Sequence, residues 1–214
     1  MRKKPVYAFI DASNLFYGGE KSLGWKIDYK KLLSYLKKKY EVRKAFYYGG
    51  VEAYGFEIVG WWKRPVDLDQ LLRYLTSKQR IGVRVLARDI QRVKFYCKLE
   101  EFGYKLRIKA VKTYRRKNGS VEKKANCDVD MTFEMMKFIN DYSGALVLSG
   151  DGDFTPVLAY LQKQGKDVTV LARGERTSRE IRQLVGSDFR DFNYLREILK
   201  FSERGKGTKK RRLM

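Results

Sequence analysis

The 214-residue sequence contains no histidine, two cysteines and three prolines, and each shortage removes a class of protein. Without histidine there is no Ser-His-Asp hydrolysis, no HExxH metalloprotease and no imidazole general base. Catalysis must rest on carboxylates, Lys, Tyr, Ser or Cys. Cys97 and Cys127 are too few for a disulfide framework or a thiolate zinc site, and both are expected to stay reduced. The low proline content, with 18 glycines, argues against a fibrous or disordered chain. No apolar run reaches the ~18 residues of a membrane helix. The opening MRKKPVYAFID lacks the apolar centre and cleavage site of a signal peptide. The expected location is the cytoplasm.

What the chain does hold is aromatic and basic. Hydrophobic residues make up 43%, including 12 Phe, 15 Tyr and 3 Trp, enough to bury a core. Lys and Arg number 47 against 25 Asp and Glu, a net charge of +22. Such an excess describes partners rather than fold, and nucleic acid is the commonest polyanion. The excess is uneven: residues 78–117 carry 14 cations against three acids, a net +11 in 40 residues. After Phe201 the tail SERGKGTKKRRLM carries six cations and one acid, and reads as a disordered basic arm over 202–214.

Periodicity gives alternating strands and helices. VYAFI (6–10) is a continuous apolar run closed by Asp11, as in a buried parallel strand. DYKKLLSYLKKKY (28–40) reads as a helix capped by Asp28. Strands are expected at 44–50, 83–87 (VRVLA), 105–111, 144–150 and 167–172, and a hairpin around the Asn-Gly of 115–120. Helices are expected at 66–78, 89–102 (ended by Gly103), 128–141, 154–164, 177–185 and 194–201. This alternation implies one α/β domain over 1–201 with a mostly parallel sheet covered on both faces. A helical insertion is expected around 55–92, carrying the pair Trp61-Trp62. That pair suits a stacking platform for unpaired bases, packing onto the core, or self-association.

Three acidic corners stand out. Asp11 follows the strand VYAFI, Asp128 opens a helix, and Asp151 and Asp153 lie in SGDGDF after the strand ALVLS. Taken singly, each suits a turn or a helix cap. In a doubly wound sheet, however, ligands bind beyond the carboxyl ends of strands, where Asp11 and Asp151 meet if their strands are parallel neighbours. Converging carboxylates need a cation or raised pKa values. Oxygen-only ligands select Mg²⁺ or Mn²⁺, ions that support phosphodiester hydrolysis without histidine. Asp130 lies ~200° round the helix from Asp128 and falls outside such a site. Glu134 shares a poor face with Asp128.

The segments FIDASNLFYGG (9–19), KANCDVDMTFEMM (124–136), LSGDGDFTPVLAYLQKQGKDVTVLA (148–172) and TSREIRQLVGSDFRDFNYL (177–195) occur in that order. In them the chain resembles the NYN domain of PIN-like nucleases, in particular its LabA-like (DUF88) branch. Ile181 stands where Leu is usual, and Asp130 where a basic or polar residue is expected. The resemblance implies a PIN-like three-layer α/β/α sandwich and a Mg²⁺- or Mn²⁺-dependent ribonuclease. It assigns Asp11, Asp128, Asp151 and Asp153 as metal-holding acids, with Asn14 and Ser149 as polar supports. Lys124, Arg92, Lys94, Lys98, Arg115 and Arg116 are candidate contacts to the nucleic-acid backbone, RNA more than DNA. For Lys124 plain solvent exposure is the commoner role, and a homo-oligomer is possible. The rival readings are a nucleic-acid-binding module without turnover, and a nuclease or phosphatase acting on DNA or small phosphate esters.

Overall fold

The apolar run VYAFI lies at the middle of the sheet, where a strand buried on both faces belongs. The computed structural model describes residues 4–15, 24–78, 83–115 and 119–202. Strands β1 (Val6–Asp11), β2 (Val42–Val51) and β3 (Lys105–Ala110) continue, after the hairpin β4 (Lys112–Arg115) and β5 (Val121–Lys124), into β6 (Gly144–Leu148), β7 (Asp167–Ala172) and β8 (Phe189–Asp191). The six sheet strands lie in the order β3-β2-β1-β6-β7-β8, and every neighbouring pair is parallel. β4 and β5 pair antiparallel as a separate hairpin.

Alternation along β1 sends side chains into two cores. Ala8 and Ile10 join Leu146 and Leu148 beneath α1 (Tyr29–Tyr40), α2 (Leu68–Ser77), α3 (Val83–Phe102) and α7 (Arg196–Leu199). Tyr7 and Phe9 join Ala145 and Val147 beneath α4 (Asp128–Lys137), α5 (Thr155–Lys163) and α6 (Arg179–Val185). The result is the expected three-layer α/β/α sandwich, with a sheet that is parallel throughout. Two covered faces explain why the neighbours Tyr47 and Tyr48 are both buried, one in each core.

Local signals hold at many boundaries. Asp28 caps α1, its Oδ1 accepting from the Lys31 amide at 3.0 Å, and Gly103 ends α3 at φ +102°. VRVLA is a correction. Residues 83–87 are the first turn and a half of the 20-residue α3, not a strand. The helix wins because Leu86, Val93, Tyr96 and Leu99 recur at helical spacing into one core, and tertiary packing overrides the β propensity of a short valine-rich run. The closing helix expected at 194–201 is a 3₁₀ turn at Phe192–Leu195 followed by the single turn of α7. The segment around 55–92 supplies α2 and the first half of α3 within the crossover from β2 to β3. Gly18, Gly19, Arg116, Asn118 and the tail from 203 onward lie outside the described residues, as do the side chains of Arg115 and Lys124.

Candidate metal centre at the switch point of the sheet

From β1 the chain moves outward to β2 and β3, and from β6 it moves the other way to β7 and β8. Neighbouring strands whose crossovers diverge leave a crevice at their carboxyl ends. Ile10 pairs with Leu148, so Asp11 and Ser149 are the next residues on adjacent strands and both face that crevice.

Three segments meet there. Asp11 is 7% exposed and caps the helical turn Ala12–Asn14: its Oδ1 accepts from the amides of Ser13 at 2.9 Å and Asn14 at 3.2 Å. The Ser149 hydroxyl donates to Asp11 Oδ2 at 3.2 Å and accepts from the Asp151 amide at 3.3 Å. Asn14 Oδ1 accepts from the Gly150 amide at 3.0 Å, tying the end of β1 to the turn after β6. Gly150 is required here, because a Cβ would stand 2.7 Å from Thr177 Oγ1 and 2.9 Å from its Cα. Asp151 Oδ1 accepts from the Asp153 amide at 3.1 Å and starts the 3₁₀ turn Gly152–Phe154. Asp128 opens α4, its amide donating to Asn126 Oδ1 at 2.8 Å.

Asp128, Asp151 and Asp153 each present a carboxylate oxygen, and these oxygens lie within 4.8 Å of one another. Asp11 stands behind them and feels the Asp128 charge. Burial is the largest influence on Asp11 and lifts its pKa from 3.8 to about 6; hydrogen bonds from Asn14, Ser13 and Ser149 oppose the rise, and Asp128 adds to it. The donor set therefore fits a hard divalent cation. It is all oxygen and partly desolvated.

A raised native pKa means that the folded state binds the Asp11 proton more tightly than the unfolded chain between pH ~4 and 6. In the metal-free protein this contribution to stability is present below pH ~4 and is lost as pH rises through 6. Asp11→Asn removes the dependence while keeping the cap, since the Asn oxygen still accepts from the amides and the Ser149 hydroxyl can turn to accept. Urea midpoints in EDTA should show the variant gaining on the parent between pH 4 and pH 7.5, by up to roughly 3 kcal/mol. A difference that does not vary with pH would refute the raised pKa.

Among the described residues, the predicted basic contacts on α3 do not share one side. Arg92 and Arg88 share one side of α3, while Lys94 and Lys98 lie on another; Lys98 is held by Glu101 at 2.6 Å. Cys127 is buried, and burial pushes its thiol up to about 12, so it offers no thiolate. Trp61 is 8% exposed and packs near Phe133, whereas Trp62 is 60% exposed.

Sequence reasoning missed the support beneath α4. Arg107 and Lys109 on β3 face Glu134 and Asp130 on α4. Arg107 forks onto Glu134 with two bonds of 2.8 Å, and Lys109 reaches Asp130 at 2.5 Å and the Asn126 carbonyl at 3.0 Å. The Tyr48 hydroxyl adds a 2.7 Å bond to Glu134, and the Trp61 indole a 3.2 Å bond to Asp130. The rungs match because two strand residues and four helix residues both span ~6–7 Å. Asp130 and Glu134 are thereby committed to structure. The alternation Arg107-x-Lys109 was the signal in the sequence.

An all-parallel α/β/α sandwich with carboxylates gathered at its switch point places them where sheets of this kind bind their ligands, at the carboxyl ends of the strands. The chain belongs to the NYN family: the NYN domain matches residues 52–193. That span takes in Asp128, Asp151 and Asp153, and leaves out β1 with Asp11. The chain is 26% identical over 207 residues to the Low amplitude and bright protein LabA of Synechococcus elongatus, covering 95% of this chain and 91% of that protein. In structure it resembles a Vibrio parahaemolyticus protein of unknown function at TM-score 0.57 and 19% identity, covering 87% of this chain and 92% of the other. It is also similar to the T5 5′-exonuclease with bound zinc, at TM-score 0.45 and 13% identity, covering 83% of this chain and 60% of the exonuclease.

Proposed function

We propose that the protein is a Mg²⁺- or Mn²⁺-dependent nuclease that hydrolyses phosphodiester bonds, with RNA as its substrate. The observation that carries this reading is the convergence of three carboxylates within 4.8 Å at the switch point of a chain whose net charge is +22. A pure binder of polyanions gains nothing from converging negative charge. A hydrolase gains a cation site, with its basic surface left to hold the substrate backbone.

Asp11, Asp128, Asp151 and Asp153 would hold the metal. When bound, a hard divalent ion offsets charge on the phosphodiester and makes water more acidic. Ser149 and Asn14 lock the two strand ends together, so the acids keep their geometry when the metal leaves. Asp11, with Ser13, Asn14 and Ser149 all donating to it, is the oriented acid of the set, whereas Asp153 is exposed and can adjust to substrate.

The reading is tested by cleavage of end-labelled single-stranded RNA and DNA of one sequence in Mn²⁺, Mg²⁺ or EDTA. Metal-dependent cleavage of RNA with slower cleavage of DNA is the expected result. Tight binding with no cleavage in either metal would leave a silent binding module. Preferential cleavage of DNA would overturn the substrate assignment alone. No helix among the described residues is long and apolar enough to cross a membrane.

A further inference from the structure

A groove of about 1010 Å³ is lined largely by residues of α3 and by residues 26–29, which lead into α1. Ala12 and Ser13, directly after Asp11, and Ala125, three residues before Asp128, also line it. Its lining carries Arg88 and Arg92, one helical turn apart and both exposed, and Lys26. Asp28 is the one acid among its described lining residues, and it is occupied in capping α1. Six aromatic side chains line it as well, with Ile27, Gly50, Gln91 and Val111. Phe95 is half-buried against Tyr29 at 4.9 Å, and Phe201 stands 49% exposed at the rim.

Cations beside exposed ring surface form the combination that holds unpaired nucleotides. Guanidinium groups fork onto phosphates, and rings stack with any base. A duplex keeps its bases stacked inside the backbone and cannot lay them on recessed rings. The volume lies at the top of the ~300–1,000 Å³ range of ligand pockets, enough for more than one nucleotide. Because the residues directly after Asp11 and three before Asp128 line the groove, a strand lying in it runs toward the acids.

We infer that this groove is the subsite for the unpaired nucleotides flanking the scissile phosphate, with Arg88 and Arg92 holding the backbone and Phe95 and Phe201 the bases. The assignment rests on the nuclease reading for what lies next to the groove. Its test is a binding measurement that needs no turnover.

Fluorescence anisotropy on the full chain in EDTA compares a labelled single-stranded 12-mer RNA with a blunt RNA duplex of the same sequence. The parent should prefer the single strand. Arg88→Ala/Arg92→Ala should weaken single-strand binding at least ~10-fold, and Phe201→Ala should weaken it further in combination. The charge-matched pair Lys38→Ala/Lys39→Ala, on the exposed side of α1, should change it less than ~3-fold. Equal losses in the two pairs, or equal affinity for duplex and single strand, would overturn the groove. Hydrolysis of bis(p-nitrophenyl) phosphate by the parent in Mn²⁺ tests the nuclease reading separately. Its absence, together with intact RNA in the cleavage assay, would sink that reading while the anisotropy result still decides the groove.

Discussion

Asp151→Asn should reduce metal-dependent phosphodiester cleavage by on the order of 10²–10³-fold or more, the scale expected when preorganised charge stabilisation is lost, without weakening nucleic-acid binding. The substitution preserves shape. Asp151 Oδ1 accepts from the Asp153 amide, and an Asn oxygen can do the same, so the 3₁₀ turn that carries Asp153 remains. What disappears is one negative charge from a group of three whose oxygens lie within 4.8 Å. Metal affinity falls with it, while repulsion of the incoming phosphate backbone also falls. Affinity for RNA in EDTA should therefore be unchanged or tighter. Side-by-side gel cleavage and anisotropy separate the two effects. A variant that still cleaves at the parent's rate would remove Asp151 from the site, and one that loses cleavage and binding together would point to a damaged fold.

The second large effect lies away from the acids. Arg107→Met should destabilise the protein by roughly 3–5 kcal/mol, the cost of leaving a buried charge without its partner. Glu134 is 1% exposed and takes two of its three hydrogen bonds from Arg107, the third coming from Tyr48. The guanidinium also lies 5.0 Å from the Phe46 ring and 4.9 Å from the Trp61 ring, contacts that methionine replaces only in part. Arg107→Lys should fall between, because an ammonium cannot fork onto both oxygens. The double variant Arg107→Met/Glu134→Gln should recover much of the loss, since the unpaired charge is gone. Urea unfolding at pH 7 measures all four proteins. A loss below about 1 kcal/mol in Arg107→Met would mean that Glu134 finds other compensation and that the ladder is not what fixes α4.

Much of this architecture was legible because its signals are local. Asp28 before a lysine-and-leucine period, Gly103 after an apolar one and Asp-Gly-Asp after ALVLS each specify one boundary. The all-parallel sheet follows from alternation of such elements. The juxtaposition of Asp11 with Ser149 needed only that β1 and β6 be neighbours. VRVLA was misread because a five-residue window shows its valines and not the continuation through Val93 and Leu99, which reveals a helix. The Arg107–Glu134 and Lys109–Asp130 rungs were invisible for a different reason. They join residues 27 and 21 positions apart, and their pairing depends on which helix face turns toward the edge strand. The groove is less legible still: Ala12, Lys26, Arg88 and Phe201 come from four distant segments, and no spacing connects them.

The interlocking of Asp11 with Ser149 across 138 residues bears on how the protein is made. During synthesis Asp11 emerges early, and β1 has an open edge until β6 is complete. Asp128 then has no opposing acids, and the turn bearing Asp151 and Asp153 does not exist. The carboxylate cluster closes only after β6 has paired with β1 and the turn carrying Asp151 and Asp153 has followed it, in a process that proceeds at ~5–20 residues per second. On the proposed reading, the site that would do the chemistry does not exist until the central strands have met.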